Sequence, residues 1–315
     1  MSTIIRIGTR GSALALWQAH HVADLLQQGG LATEIITIET KGDKILDRSL
    51  SKIGSKGVFT AELEEALYNR HIDIAVHSAK DLPSELPRGL EIIAFTERER
   101  VNDVLVSFRK DISVTDGQPW VIGTSSTRRV AMLRHYHPHL KTVDMRGNLQ
   151  TRMRKLQEGQ CDALLLAYAG VHRMQYDEHI VAYLPTEQFT PAVGQGSVAI
   201  ESAVNLEESK REKIRQLINH PTTEIALRTE RAFLHRLQGG CSIPSFGLAG
   251  FDVPNDTILL HAGIISLDGR RLVEYSLQKA ASDGEALGYE MADKILQSGG
   301  GEILREIREH QAVHK

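Results

Sequence analysis

Ile7-Gly8-Thr9-Arg10-Gly11-Ser12 and Ile122-Gly123-Thr124-Ser125-Ser126-Thr127 decide how the chain is read. Thr3 to Gly8 is a short β-branched run, and from Ser12 apolar residues recur at helical spacing (Leu14, Trp17, Leu25, with Val22 alongside). The first segment is therefore a strand-to-helix junction, and the second sits at another. Further pairs follow in the same order. Thr40-Lys41-Gly42-Asp43 resembles Met145-Arg146-Gly147-Asn148, and Glu62 to Val76 resembles Thr151 to Leu165, with Asp73 matching Asp162. Shared order makes two similar α/β lobes the better reading.

Working outward, the first copy alternates strand and helix. Gly29-Gly30 ends the first helix, strand-like runs cover Glu34 to Glu39, Ile72 to His77 and Leu90 to Phe95, and a helix runs from Thr60 to Asn69. Such alternation predicts a largely parallel sheet with helices packed on it. The first copy is longer by Lys44 to Gly57, a polar, basic, glycine-containing insertion. It suits a mobile lid, and on composition alone it suits a plain surface loop equally well. Pro191-Ala192-Val193-Gly194-Gln195-Gly196 precedes the strand-like Ser197 to Glu201 and reads as a crossover returning to the first lobe. The last third differs. A helix opens at Pro221 and stops at Gly239-Gly240, and three strand-like runs follow (Ser245 to Val253, Ile258 to Ser266, Arg271 to Leu277), with a hairpin turn at Asp268-Gly269. A helix from about Asp283 to Gln297 completes a smaller α+β domain with a three-stranded antiparallel sheet. The expected division is 1–96 with 197–216 for the first lobe (lid loop about 42–58), 97–196 for the second and 217–315 for the C-terminal domain.

A chain of 315 residues exceeds what one core usually organises. With 41% hydrophobic and 24% charged residues it is an ordinary globular composition, and a net charge of −3 argues against a general nucleic-acid binder. No secretory signal opens the sequence and no apolar run is long enough to span a bilayer, so a cytoplasmic protein is expected. Two cysteines, Cys161 and Cys241, are too few for a disulfide framework.

The strongest chemical signal is Thr124-Ser125-Ser126-Thr127-Arg128-Arg129. A helix amino terminus offers unpaired N–H groups and a positive dipole end, hydroxyl residues can cap it, and arginines there can grip a carboxylate in two-point geometry. Arg10 with Ser12 repeats the arrangement, and Arg146, Arg152 and Arg173 lie at or near predicted element ends, where side chains could converge on a cleft between lobes, although each taken singly also reads as a solvated surface arginine. Lys80 and Asp81, in His77-Ser78-Ala79-Lys80-Asp81-Leu82-Pro83, fall beyond the carboxyl end of a strand, where ligand sites of open α/β sheets lie. Asp81 could stabilise a cation or relay protons, or be a plain turn aspartate before Leu82-Pro83. Cys241 follows two glycines, a setting for an accessible thiol as much as for a buried, inert one. Cys161 reads as a core residue. His135, His137 and His139 alternate around Pro138 without a cysteine or carboxylate cluster, so no metal site is expected.

These motifs converge. IGTRGSALALWQA, KGD, SKIGSKGVFTAELE, DIAVHSAKDLP, IGTSSTRR, MRGNLQTR, LLLAYAGVHR, PAVGQGSVAIE and ERAFLHRLQGGCSIP resemble the porphobilinogen deaminase (hydroxymethylbilane synthase) family, in order from near residue 4 to near 250. The resemblance implies a transferase of haem biosynthesis that joins four porphobilinogen molecules head to tail with loss of ammonia, on a covalent dipyrromethane cofactor and without a catalytic metal. It implies two periplasmic-binding-protein-like lobes and a set of site residues: Cys241 would hold the cofactor by a thioether, and Asp81 would steady the cationic azafulvene intermediate. Lys80, Thr124, Ser126, Arg128, Arg129 and Asp43 would bind the cofactor. Arg10, Ser12, Ser78, Arg146, Arg152 and Arg173 would bind substrate and the growing chain. Lys52, Lys56 and Phe59 would belong to the lid. No nucleic-acid or membrane partner is implied, and a monomer is expected. The sequence departs from the family pattern at Ala79, Ser242 and Phe246, none of them a reacting group. A rival of another class is a carboxylate-binding protein of the bilobal solute-binding type, which explains the arginines but leaves Cys241 without a task.

Overall fold

The computed structural model describes residues 4–40, 60–240 and 242–313. The chain opens with β1 (Ile5–Thr9), α1 (Ala13–Gln28), β2 (Thr33–Thr37), α2 (Ala61–Tyr68), β3 (Ile74–Ser78) and β4 (Leu90–Phe95). The second lobe contains β5 (Asp103–Val106), β6 (Val121–Gly123), α3 (Thr127–Tyr136), β7 (Lys141–Val143), α4 (Leu149–Gln157), β8 (Ala163–Ala167), α5 (Tyr168–Arg173) and β9 (Ile180–Tyr183). The remainder is β10 (Val198–Ala203), α6 (Glu208–Ile218), α7 (Pro221–Leu237), β11 (Ser245–Asp252), β12 (Thr257–Ile265), β13 (Leu272–Ala280), α8 (Gly284–Ile295) and α9 (Gly301–Val313).

The strands form sheets ordered β2-β1-β3-β10-β4, β7-β6-β8-β5-β9 and β11-β12-β13, the last antiparallel throughout. In each of the first two sheets four strands run one way, as expected, and one strand runs against them, which makes the sheets mixed. β1 runs parallel to β2 and β3, and β6 parallel to β7 and β8, but β10 and β5 run against their neighbours. The cause lies in the crossovers. A strand entering from the other lobe starts at the cleft and runs away from it, opposite to strands that end there.

Backbone details carry the internal repeat into three dimensions. Asp73 Oδ2 accepts from the Arg6 backbone N–H at 2.9 Å, and Asp162 Oδ2 accepts from the Val121 N–H at 2.8 Å. Each carboxylate thus satisfies a donor at the start of the strand neighbouring its own. A Cβ on Gly8 would lie 2.3 Å from Ile72 Cδ1, and one on Gly123 would lie 2.8 Å from Cys161 Sγ. Cys161 is accordingly a buried filler, its thiol pushed up to about 11 by burial.

α7 and α8 cover the third sheet, with Phe233, Leu260, Ile264, Met291 and Ile295 in one core. α9, which the sequence reading passed over, adds Ile303, Leu304 and Ile307 to it. Gly299, at φ +100°, breaks the chain from α8 and disguises this last helix as a tail. Phe246 crosses into the core of the second lobe, and a Cβ on Gly263 would approach its ring at 2.4 Å. Among the described residues no helix is long and apolar enough to cross a membrane.

Candidate active site

The amino terminus of α3 is built as the sequence indicates. Ser126 is the N-cap, its hydroxyl accepting from the Arg129 N–H at 3.4 Å, and the Thr124 hydroxyl accepts from the Ser126 N–H at 3.3 Å. The two arginines behind the cap turn inward. Arg128 donates to Asp103 Oδ2 at 2.8 Å and to the Thr190 carbonyl at 2.8 Å, while Arg129 donates to Asp103 Oδ1 at 2.7 Å and to the Leu165 carbonyl at 3.1 Å. Gln195, in the crossover, donates to Asp103 Oδ1 at 2.9 Å as well. Burial works to raise the Asp103 pKa, but the two guanidinium groups outweigh it and hold the carboxyl well below its usual range. Two cations on one anion leave net positive charge. The Nε atoms of Arg128 and Arg129 are buried with no hydrogen-bond partner among the described residues.

Lys80 and Asp81 face this cluster from the first lobe, in a short 3₁₀ turn (Ala79–Asp81) that leaves β3. Burial, and then the charge of Arg129, lower the Lys80 pKa to about 8, with Asp81 and Asp103 opposing them. Arg152 is lowered to about 10 by burial and by Arg129, again against Asp81 and Asp144. Lys80 thus feels the charges of Asp81, Arg128 and Arg129, and Arg152 those of Asp81 and Arg129, which makes these side chains electrostatic neighbours. Asp81 itself is exposed.

The placement of the other expected residues varies. Arg152 donates from Nε to the Gly147 carbonyl at 2.9 Å, and Arg146 to Asp144 at 2.7 Å. Ser12 caps α1 by accepting from the Ala15 N–H at 3.3 Å, and Ser78 accepts from Gln18 Nε2 at 2.9 Å. Arg10 is half-buried beyond β1. Arg173 is half-buried at the end of α5. It donates to the Gly196 carbonyl at 2.7 Å and lies 5.3 Å over the Trp17 ring, joining the second lobe to α1 and the crossover. Asp43, Lys52, Lys56, Phe59 and Cys241 lie outside the described residues. His135 binds the Gly269 carbonyl at 2.7 Å and His137 stacks on Phe189, which gives both a packing role.

The chain matches two family models: "Porphobilinogen deaminase, dipyromethane cofactor binding domain" over residues 5–211, and "Porphobilinogen deaminase, C-terminal domain" over residues 225–297. It belongs to the porphobilinogen deaminase family. Porphobilinogen deaminase of Cytophaga hutchinsonii is 56% identical over 98% of both chains. That of Desulfosudis oleivorans is 51% identical over 98% of this chain and 99% of its own, and that of Syntrophomonas wolfei 48% over 96% and 99%. The function is therefore that of the family, a transferase of tetrapyrrole biosynthesis with a dipyrromethane cofactor-binding domain. Solved bilobal domains are far more distant: the VFT2 domain of BvgS from Bordetella pertussis aligns at 16% identity over 69% of this chain and 85% of its own, with a TM-score of 0.40.

The donor set fits a dipyrromethane. Its acetate and propionate side chains are carboxylates, and Lys80 and Arg152, buried beside Arg129, are cations suited to receive them. Four contributors escaped the sequence reading: Asp103, Gln195, Arg98 and Glu230. Glu230 is fully buried and accepts from Arg98 at 2.5 Å and from the N–H groups of Gly194 and Ala249, each at 2.8 Å. Asp103 carried a usable signal, an acidic residue opening the apolar run Val104-Leu105-Val106. Burying such a charge demands cationic partners.

Proposed function

We propose that Asp81 is the catalytic carboxylate of head-to-tail polymerisation of four porphobilinogen molecules to hydroxymethylbilane. The carrying observation is the exposed Asp81 carboxylate set at the end of β3 among Lys80 and Arg152. When bound through a thioether to Cys241, the dipyrromethane supplies the pyrrole carbon to which the first substrate unit is added. Loss of ammonia from porphobilinogen needs a protonated amine and leaves a cation. Asp81 holds the pyrrole N–H groups and steadies that cation, and it is placed to pass the proton. Lys80, Thr124, Ser126, Arg128, Arg129 and Asp43 hold the anchored unit. Arg10, Ser12, Ser78, Arg146, Arg152 and Arg173 hold the incoming unit and the lengthening chain, while Lys52, Lys56 and Phe59 act in a lid.

Each added unit brings two carboxylates, so an arginine-rich cleft is needed, and the guanidinium fork stays charged throughout. The enzyme acts as a cytoplasmic monomer in this reading. The test is intact-mass measurement with turnover. Purified protein should carry the excess mass of one dipyrromethane unit, absent from Cys241→Ser, and both Asp81→Ala and Asp81→Asn should lose at least about a hundredfold in kcat, the order expected when a positioned charge is removed. An unmodified active protein, or an Asp81→Asn variant with near-native turnover, overturns the reading.

A further inference from the structure

We infer that Arg231, on α7 of the C-terminal domain, is a positioning residue for the Lys80–Asp81 turn. This rests on the reading of Asp81 given above. The turn has no regular element to stiffen it beyond one short 3₁₀ coil, and its aspartate is exposed. What holds it comes from elsewhere in the chain. Arg231 Nη2 donates to the Pro83 carbonyl at 2.9 Å, two residues past Asp81 and 148 residues distant in sequence. Leu227, one helical turn earlier on the same face of α7, is fully buried in a cluster with Ala79 and Leu82, the residues that bracket Lys80 and Asp81. On the opposite side the Ala79 N–H donates to the Ser197 carbonyl at 3.0 Å, and the backbone of Gly194 lies so close that a Cβ there would stand 2.8 Å from the Ala79 carbonyl carbon.

The guanidinium is an expensive way to hold one carbonyl unless its charge is used. Burial lowers its pKa to about 10, and the negative charge of Glu201 opposes that shift. Glu201 is itself fully buried and lies 2.9 Å from His77 Nε2, on the strand that delivers the turn. The His77–Glu201 contact ties β10 to β3, and Arg231 ties α7 to the turn that follows β3. A hydrophobic residue of similar length would fill the space yet leave the Pro83 carbonyl without its donor. The turn would then keep its place approximately but lose its angular restraint.

The consequence falls on the chemical step. Displacing a catalytic group by about 1 Å costs on the order of a hundredfold, whereas the binding cations of the second lobe are untouched. Arg231→Met should lose about tenfold to a hundredfold in kcat and shift KM for porphobilinogen by less than about threefold. Its intact mass should still include the cofactor, and hydrogen exchange should accelerate at the amides of residues 79–82 but not at Gly194 or Ala249. Arg231→Lys, which keeps a cationic donor, should recover most of the kcat. If Arg231→Met does not fold, Arg231→Gln, too short to reach the same carbonyl, serves for the same measurements. Native kcat in a folded variant, unchanged exchange at 79–82, or uniform loss of protection across α7 would each overturn the inference. Failure of the Asp81 reading is distinguishable, because it shows in Asp81→Asn with Arg231 intact.

Discussion

The two α/β lobes share a strand plan closely enough to be compared position by position. Asp103 pairs with Ala167 at the cleft end of β8 as Val198 pairs with Ser78 at the cleft end of β3. In the second lobe that position is a buried carboxylate holding Arg128 and Arg129, and in the first it is a plain valine. Deeper in the sheets the assignment reverses. The first lobe buries the His77–Glu201 pair where the second has Leu166 and Val106. What the lobes hold in common is backbone management, namely the glycine at the strand-to-helix junction and the aspartate on a neighbouring strand's N–H. What separates them is where each places buried charge. The second lobe collects cations at the cleft, and the first presents Asp81 to them.

Making the second lobe resemble the first at this position is the most severe change. Asp103→Val leaves two buried guanidinium groups without their anion, and should cost about 3–5 kcal/mol, read from the denaturant midpoint. A loss below about 1 kcal/mol would mean that the arginines find other partners and the contrast between lobes is superficial. The shared glycine notch predicts a smaller, parallel effect. Gly8→Ala and Gly123→Ala should each cost about 1–3 kcal/mol by overpacking. The pairs Gly8→Ala with Ile72→Val and Gly123→Ala with Cys161→Ala should each cost less than the sum of their parts, since each second change removes the nearest atom in the way. Strict additivity in either lobe would break the equivalence.

The smallest effect concerns Asp73, the first of the matched aspartates. Burial pushes the Asp73 pKa up, but hydrogen bonds from Arg6 and Lys210 outweigh it, so the net shift is downward. A folded-state pKa below the unfolded value contributes stability that is present above the unfolded pKa and lost as pH falls through the folded one. The stability gap between the wild type and Asp73→Asn should therefore be constant from about pH 6 to 7 and close below about pH 4, in the normal carboxylate range. A gap that widens on acidification would contradict this sign.

Much of the fold was legible locally. The Ser12 and Ser126 caps, the end of α1 at Gly29, the β4 run from Leu90 to Phe95 and the α7 stop before Gly239 follow from periodicity and capping chemistry. The direction of β5 and β10 was not legible, because it depends on which lobe a strand arrives from. Helix α9 was hidden by the glycines ahead of it. At the site, the cationic motifs and the Lys80–Asp81 turn were readable, and the family resemblance supplied their meaning. Asp103 stood out only as an acidic residue opening an apolar run; its partners were not readable, since they lie 25 and 26 residues later and no local pattern links an acidic strand residue to a helix start.

By itself the sequence determined the strand-to-helix junctions, the repeated lobe, the antiparallel third sheet and the family, because these rest on short-range periodicity, turn chemistry and contiguous motifs. Only the tertiary structure decided that Arg128 and Arg129 share Asp103, that Glu230 joins the crossover to β11, and that Arg231 reaches the turn carrying Asp81. The physical reason is desolvation. A buried charge must find a partner, but the partner is whichever group the packed elements bring within hydrogen-bond reach, and separation along the chain does not encode that.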